Sequence, residues 1–116
     1  MPFDVQFTTV GGHPVLDVRG ELDLLTAPRL AEEVEKALAG APPLLAIDLS
    51  ATTFIDSSGA REVARAARVA GRAGTVVQVV CPPDNHAVRL VIELLDLAAL
   101  VPVLPSPDLI GRDSRP

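Results

Sequence analysis

The chain has 116 residues, 48% of them apolar, with a formal net charge of −5 and a pI near 4.8. A chain of this size suits one compact domain, and its acidic balance disfavours attraction to nucleic-acid backbones or anionic membrane surfaces. Phe3, Phe7 and Phe54 are its only aromatics, which removes the usual stacking residues for single-stranded nucleic acid, and no apolar run approaches the ~20 residues of a membrane span. Cys81 has no partner for an intramolecular disulfide, and His13 and His86 form no recognisable metal-ligand spacing, so neither a metal nor a cofactor is expected. The N-terminal residues show no basic stretch followed by an apolar one, and a cytoplasmic location is expected.

In chain order, Val5 to Val10 and Pro14 to Arg19 are β-rich runs separated by Gly11-Gly12-His13, a hairpin signal. Thr26-Ala27-Pro28 offers a capping hydroxyl and an early proline, and Leu30, Val34, Ala37 and Leu38 then recur at helical spacing until Gly40 and Pro42-Pro43. Leu44 to Leu49 is nearly continuous apolar sequence and reads as a central strand. A second helix carries Ala60, Val63, Ala64 and Ala67 and ends near Gly74; Thr75 to Cys81, with four valines, is another buried strand. Asp84 or Asn85 is placed to cap a third helix with a stripe of Val88, Val91, Ile92 and Leu95, and Leu100 to Leu104 forms a short edge strand despite Pro102. Beyond Pro105 the composition suggests a mobile extension, giving a domain over 1–104 and a tail over 105–116. Strands alternating with helices after a hairpin call for an α/β fold with a mixed sheet and right-handed crossovers.

One segment concentrates chemically capable side chains: Asp56-Ser57-Ser58-Gly59, at a strand-to-helix turn. Asp and Ser are preferred helix caps, so these four residues alone are consistent with simple capping. A hydrolase would need a base beside Ser57 or Ser58, and the Gly-x-Ser-x-Gly signature is absent. A serine at a helix N-terminus is also a suitable phosphate acceptor, because the first amides and the helix dipole tolerate the added charge. On the same helix Arg61, Arg65, Arg68 and Arg72 recur at spacings of four, three and four, opposed there only by Glu62. They read either as a solvated face over an alanine-rich core or as a ridge that steers an acidic partner toward Ser58. The charge is divided accordingly. Residues 1–58 hold nine acidic and three basic side chains, and 59–116 hold six and seven.

Gly20-Glu21-Leu22-Asp23 with Thr26-Ala27-Pro28, Ile47-Asp48-Leu49-Ser50, Phe54-Ile55-Asp56-Ser57-Ser58-Gly59, and Val88-Arg89 with Leu97 occur here in an order and spacing that resembles the STAS domains. Among these the chain is similar to the small stand-alone bacterial anti-sigma factor antagonists. The resemblance implies a single domain with a mixed four- to five-stranded sheet and helices mainly on one face. It implies that Ser58, with Ser57 as second choice, is phosphorylated by an anti-sigma factor that is itself a serine kinase. The unphosphorylated form would then sequester that anti-sigma factor and release a sigma factor, and a serine phosphatase would reset it. Asp23, Asp56, Ser57, Ser58 and Gly59 carry over as partner-binding residues, joined by Arg61 and Arg65, and the protein itself is expected to have no catalysis. STAS domains also serve as small subunits of lipid-transport complexes and signalling scaffolds, which is the alternative reading. Two positions depart from the usual pattern: Ala60 where relatives carry leucine, and Asp96 where many carry glycine.

Overall fold

The computed structural model describes residues 2–112. Gly11 and Gly12 have φ of +57° and +82°, the left-handed pair that a two-residue hairpin requires. Across them β1 (Asp4–Val10) and β2 (His13–Leu22) pair antiparallel, from Val10 opposite His13 to Asp4 opposite Arg19. β2 is longer than its β-rich run suggests because it serves two parallel neighbours in succession. Its first half pairs with β3 (Leu44–Asp48), Val15 opposite Ala46, and its end pairs with β4 (Thr52–Ile55), Leu22 opposite Ile55. The register shifts between Gly20 and Glu21, where one neighbour gives way to the other.

β5 (Val76–Val80) lies beside β3, and β6 (Val103–Leu104) beside β5, so the order is β1-β2-β3-β5-β6 with β4 alongside the end of β2. The sheet thus has six strands where four or five were expected. The additional one is β4, whose four residues are too few for alternation to be read and whose Phe54-Ile55 resembles the approach to a helix. Pro102 is accommodated at the β6 edge because it is asked only to accept: its carbonyl takes the Val79 N–H at 2.9 Å.

Two polar side chains secure the β3–β4 connection. The Thr52 hydroxyl donates to the Val18 carbonyl at 2.8 Å in the interior, and the Asn85 amide donates to the Leu49 and Thr52 carbonyls at 3.1 and 2.9 Å. Asn85 does precede the third helix, but its side chain makes no capping bond; it satisfies carbonyls that the abrupt turn leaves without a ladder partner.

Helices α1 (Ala27–Leu38), α2 (Ser57–Arg72) and α3 (His86–Leu94) all cover one face of the sheet. Leu30 and Val34, Val63, Ala66 and Ala70, and Val88 and Ile92 join Leu16, Val18, Leu45, Ile47 and Val79 in one core. The other face would be left bare, and the C-terminal segment covers part of it. Rather than extending away after residue 104, the chain makes a single 3₁₀ turn at Pro107–Leu109 and seats Ile110, 4% exposed, against Val15, Ala46 and Val80. The Gly111 N–H donates to Gln78 Oε1 at 3.0 Å, and the His13 ring lies against Gly111. The remaining tail positions, 113–116, lie outside the described residues.

Asp96 gives its departure from the family pattern a physical meaning. α3 closes at Leu94, and Asp96 adopts φ 52°, ψ 43°, the left-handed conformation that terminates helices and that glycine reaches without cost. Asp96→Gly is therefore expected to stabilise the domain by about 0.5–1 kcal/mol. Ile110→Ala is expected to destabilise it by about 2 kcal/mol through the emptied contact with the second face. Urea denaturation at unchanged m value checks both; a neutral Ile110→Ala would show that the C-terminal segment contributes nothing to the fold.

Candidate functional site

The parallel ends of β2 and β4 lie side by side, and both chains leave the sheet at the same edge. After Ile55 the backbone stays extended at Asp56, whose φ of −110° and ψ of −174° mark a helix N-cap, and the Asp56 carboxylate accepts the Gly59 N–H at 2.9 Å. The capping reading of this residue therefore holds. Gly59 has a steric reason to be glycine: a Cβ there would collide with the Leu22 carbonyl and lie 2.9 Å from Ile55 Cγ1 and from Leu22 Cγ. Leu22 also accepts the Asp56 N–H at 3.3 Å, so the first turn of α2 is pressed onto the last residue of β2.

On the neighbouring chain the Gly-Glu-Leu-Asp segment forms a tight loop. Asp23 Oδ1 accepts the N–H groups of Leu25 and Thr26 at 3.0 and 3.1 Å, and the Asp23 N–H donates to the Thr26 hydroxyl at 2.9 Å. Thr26 stands at the N-cap of α1, as its sequence position suggests, but its hydroxyl donates to the Glu21 carbonyl at 2.7 Å instead of capping the helix. The Asp23 carbonyl starts the helical turn by accepting the Ala27 N–H at 2.8 Å. Asp23 is thus brought beside the serine turn with its carboxylate engaged in shaping the loop. What the loop displays is Leu24 and Leu25, 70% and 85% exposed. Sequence reasoning passed over both; the signal was two adjacent leucines in a turn outside any helical or strand periodicity.

Between this loop and α2 lies a groove of about 320 Å³, lined by Leu24, Ala27, Pro28, Ser58, Arg61, Glu62, Arg65 and Arg68. Ser58 is half-buried and lines it; Ser57 is exposed and does not. Three of the four arginines reach the groove, and Arg72 does not. They are not equivalent. Arg65 makes two 2.8 Å bonds to the Glu62 carboxylate, which is itself buried, and that pairing holds the guanidinium pKa above its ordinary value despite partial desolvation. Arg61 and Arg68 are exposed and form no ion pair among the described residues. The groove therefore combines an apolar lip, a hydroxyl and two uncommitted cations.

Other chemically capable residues lie elsewhere. His13 packs on Gly111 and His86 opens α3, and neither histidine lines the groove beside Ser58. Cys81 is fully buried at the end of β5, and burial raises its thiol pKa, as suits a small packing residue. Ala60 is 2% exposed beneath the serine turn, so its departure from leucine changes packing rather than the groove. Among the described residues no cluster of three or more His, Cys, Asp or Glu side chains is arranged for a metal, and no helix is long and apolar enough to cross a membrane. Gly59→Ala is expected to cost about 2–3 kcal/mol by overpacking against Leu22, and Asp56→Ala about 1 kcal/mol through the lost cap. Thermal unfolding of the two variants provides the check, and a Gly59→Ala protein as stable as wild type would contradict the close approach.

The family model described as the Mlab STAS domain matches residues 5–102. The anti-sigma-F factor antagonist RsfB of Mycobacterium tuberculosis is 39% identical over 61 residues, a match spanning 53% of this chain and about half, 50%, of that relative's length. The crystal structure of an anti-sigma factor antagonist from Mycobacterium paratuberculosis superposes with a TM-score of 0.82 at 32% identity, covering 92% of this chain and 89% of the other. The Bacillus protein SpoIIAA in its unphosphorylated form shares the fold, with a TM-score of 0.73 at 21% identity over 94% and 95% of the two chains; it is also known in a phosphorylated form. With most of its length matched by the family model and by the mycobacterial structure, the chain belongs to the STAS domain family.

Proposed function

We propose that this protein is an anti-sigma factor antagonist, a binding module without catalysis of its own, whose contact with the anti-sigma factor is controlled by phosphorylation of Ser58. The observation that carries the reading is the half-buried Ser58 at the mouth of α2, in a groove between an apolar loop and a cationic helix face. Relatives named as antagonists of this kind, one of them 32% identical over nearly the whole chain, support it.

In the unphosphorylated state the exposed Leu24 and Leu25, Asp56, Ser57 and Ser58 of the serine turn, and Arg61 and Arg65 form the contact surface, while Gly59 is buried beneath it and sets the turn. Asp23 contributes by holding the loop in shape. Binding occupies the anti-sigma factor and releases a sigma factor for transcription. The anti-sigma factor, acting as a serine kinase, transfers the γ-phosphoryl group of ATP to Ser58 Oγ; the O–P bond forms as ADP departs, and the hydroxyl proton passes to a kinase base. The helix N-terminus favours the new anion by about 0.3–1 kcal/mol, so the fold persists. The interface does not. A phosphoserine adds about 1.5–2 negative charges, and like-charge contact across an interface costs several kcal/mol. At 1.4 kcal/mol per tenfold, affinity falls about a hundredfold or more. A serine phosphatase restores the binding form.

The family model carries the name of a different member, Mlab, which favours keeping a second reading in view: a STAS subunit of a larger transport or signalling assembly. Such a subunit would bind its complex whatever the state of Ser58. The test is incubation with an anti-sigma factor kinase and labelled ATP, followed by affinity measurements. Label is expected in wild type and Ser57→Ala but not in Ser58→Ala, with Ser58→Ala binding as tightly as wild type and Ser58→Asp at least about a hundredfold more weakly. Equal binding by Ser58→Asp and wild type would remove the switch and leave the subunit reading.

A further inference from the structure

We propose that Arg61 is a built-in receptor for the phosphate on Ser58, so that phosphorylation withdraws a cation from the docking groove as well as adding negative charge to it. The inference rests on Ser58 as the acceptor. Ser58 and Arg61 are three residues apart on α2 and line the same groove. Helical side chains lean toward the N-terminus, so a long side chain one turn further on covers the turn before it, which puts an anion on Ser58 within the reach of the Arg61 side chain.

The other arginines of the groove are ruled out by what they touch and where they stand. Arg65 is held by both oxygens of Glu62. Arg68 lies ten residues beyond Ser58, about 15 Å along the helix axis at 1.5 Å per residue, past the reach of its side chain. Arg61 is exposed and free of any acid among the described residues, so it can turn onto a new anion without breaking an existing pair.

The acids near the acceptor do not compete for it. Asp56 accepts from Gly59 N–H, Asp23 from the Leu25 and Thr26 amides, and Glu62 from Arg65, while Glu35 of α1 acts on Arg65. A phosphate on Ser58 would thus meet one unengaged cation within reach, and a guanidinium and a phosphate pair through two parallel N–H···O bonds. Of the groove's arginines, Arg68 alone would then be left without a paired anion for the partner's acidic groups.

The pairing is testable without a kinase or a partner. Phosphoserine is installed at position 58 during translation, and its phosphorus resonance is followed by NMR through the second ionisation, ordinarily near pH 6, at low salt. Because the helix N-terminus acts on the phosphate in every variant, the comparison between variants isolates the arginine. The wild-type midpoint is expected about one pH unit below that of Arg61→Gln, a roughly tenfold difference in proton affinity, with Arg68→Gln titrating as wild type. Arg61→Lys should recover part of the difference. Coincident titrations of wild type and Arg61→Gln would overturn the proposal, as would an equal displacement in Arg68→Gln. A midpoint that depends on Arg61, in a protein that no anti-sigma kinase modifies, would support the receptor while overturning the switch.

Discussion

The contact between the carbonyl end of β2 and the first turn of α2 governs how the site is assembled. Leu22 pairs with Ile55 across the β2–β4 ladder, accepts the Asp56 N–H, and lies so close to Gly59 that no side chain fits between. Because two parallel strands end together, the loops that follow them emerge side by side, the general reason that ligand and partner sites gather at the carboxyl ends of parallel strands. One loop is braced by Asp23, whose carboxylate accepts the Leu25 and Thr26 N–H groups, and the other by Asp56, whose carboxylate accepts the Gly59 N–H. Two short acidic side chains thereby hold the rim of the groove rigid while the apolar and cationic groups between them face outward.

That geometry depends on buried polar links at some distance from the serine. β2 can serve β3 and then β4 only if the chain turns sharply after Leu49, and the turn carries carbonyls out of the strand ladders. The Asn85 amide, just before α3, donates to the Leu49 and Thr52 carbonyls of that turn, while the Thr52 hydroxyl donates to the Val18 carbonyl of β2, so the start of α3 and β2 are both tied to the β3–β4 connection by hydrogen bonds. The alanine-rich inner side of α2 completes the arrangement: Ala60, Ala66 and Ala70 let the helix approach the sheet closely and leave its longer side chains for the groove.

The electrostatics follow from position more than from totals. A chain with a net charge of −5 presents a cationic groove because four of its nine arginines lie on one helix and one of them neutralises the single buried acid beside them. Arg65 and Glu62 spend their charges on each other, which leaves Arg61 and Arg68 to act outward. The acidic first half and the basic start of the second half meet at the serine, and an added phosphate would fall on the side where charge has most effect.

Much of this was legible from residue order. Gly11-Gly12, the apolar run at 44–49, the valines of 76–80 and the alanine and arginine periodicities of α2 are local signals, each decided by backbone preference or by one face of one element, and each matches the structure. The motif spacing likewise carried the family and singled out the serine turn. Beyond local signals the sequence was silent. β4 exists only because the end of β2 needs a neighbour, and Ile110 is buried only because three helices chose the other face of the sheet. Thr26 gives its hydroxyl to the Glu21 carbonyl, and Asn85 its amide to the Leu49 and Thr52 carbonyls, in place of the caps that both residues are able to make, because the fold brings these acceptors within reach. The amino-acid sequence by itself determined which elements form and which residues are chemically capable; the tertiary structure alone decided which serine and which arginines share a groove, because that depends on contacts between strands far apart in the chain.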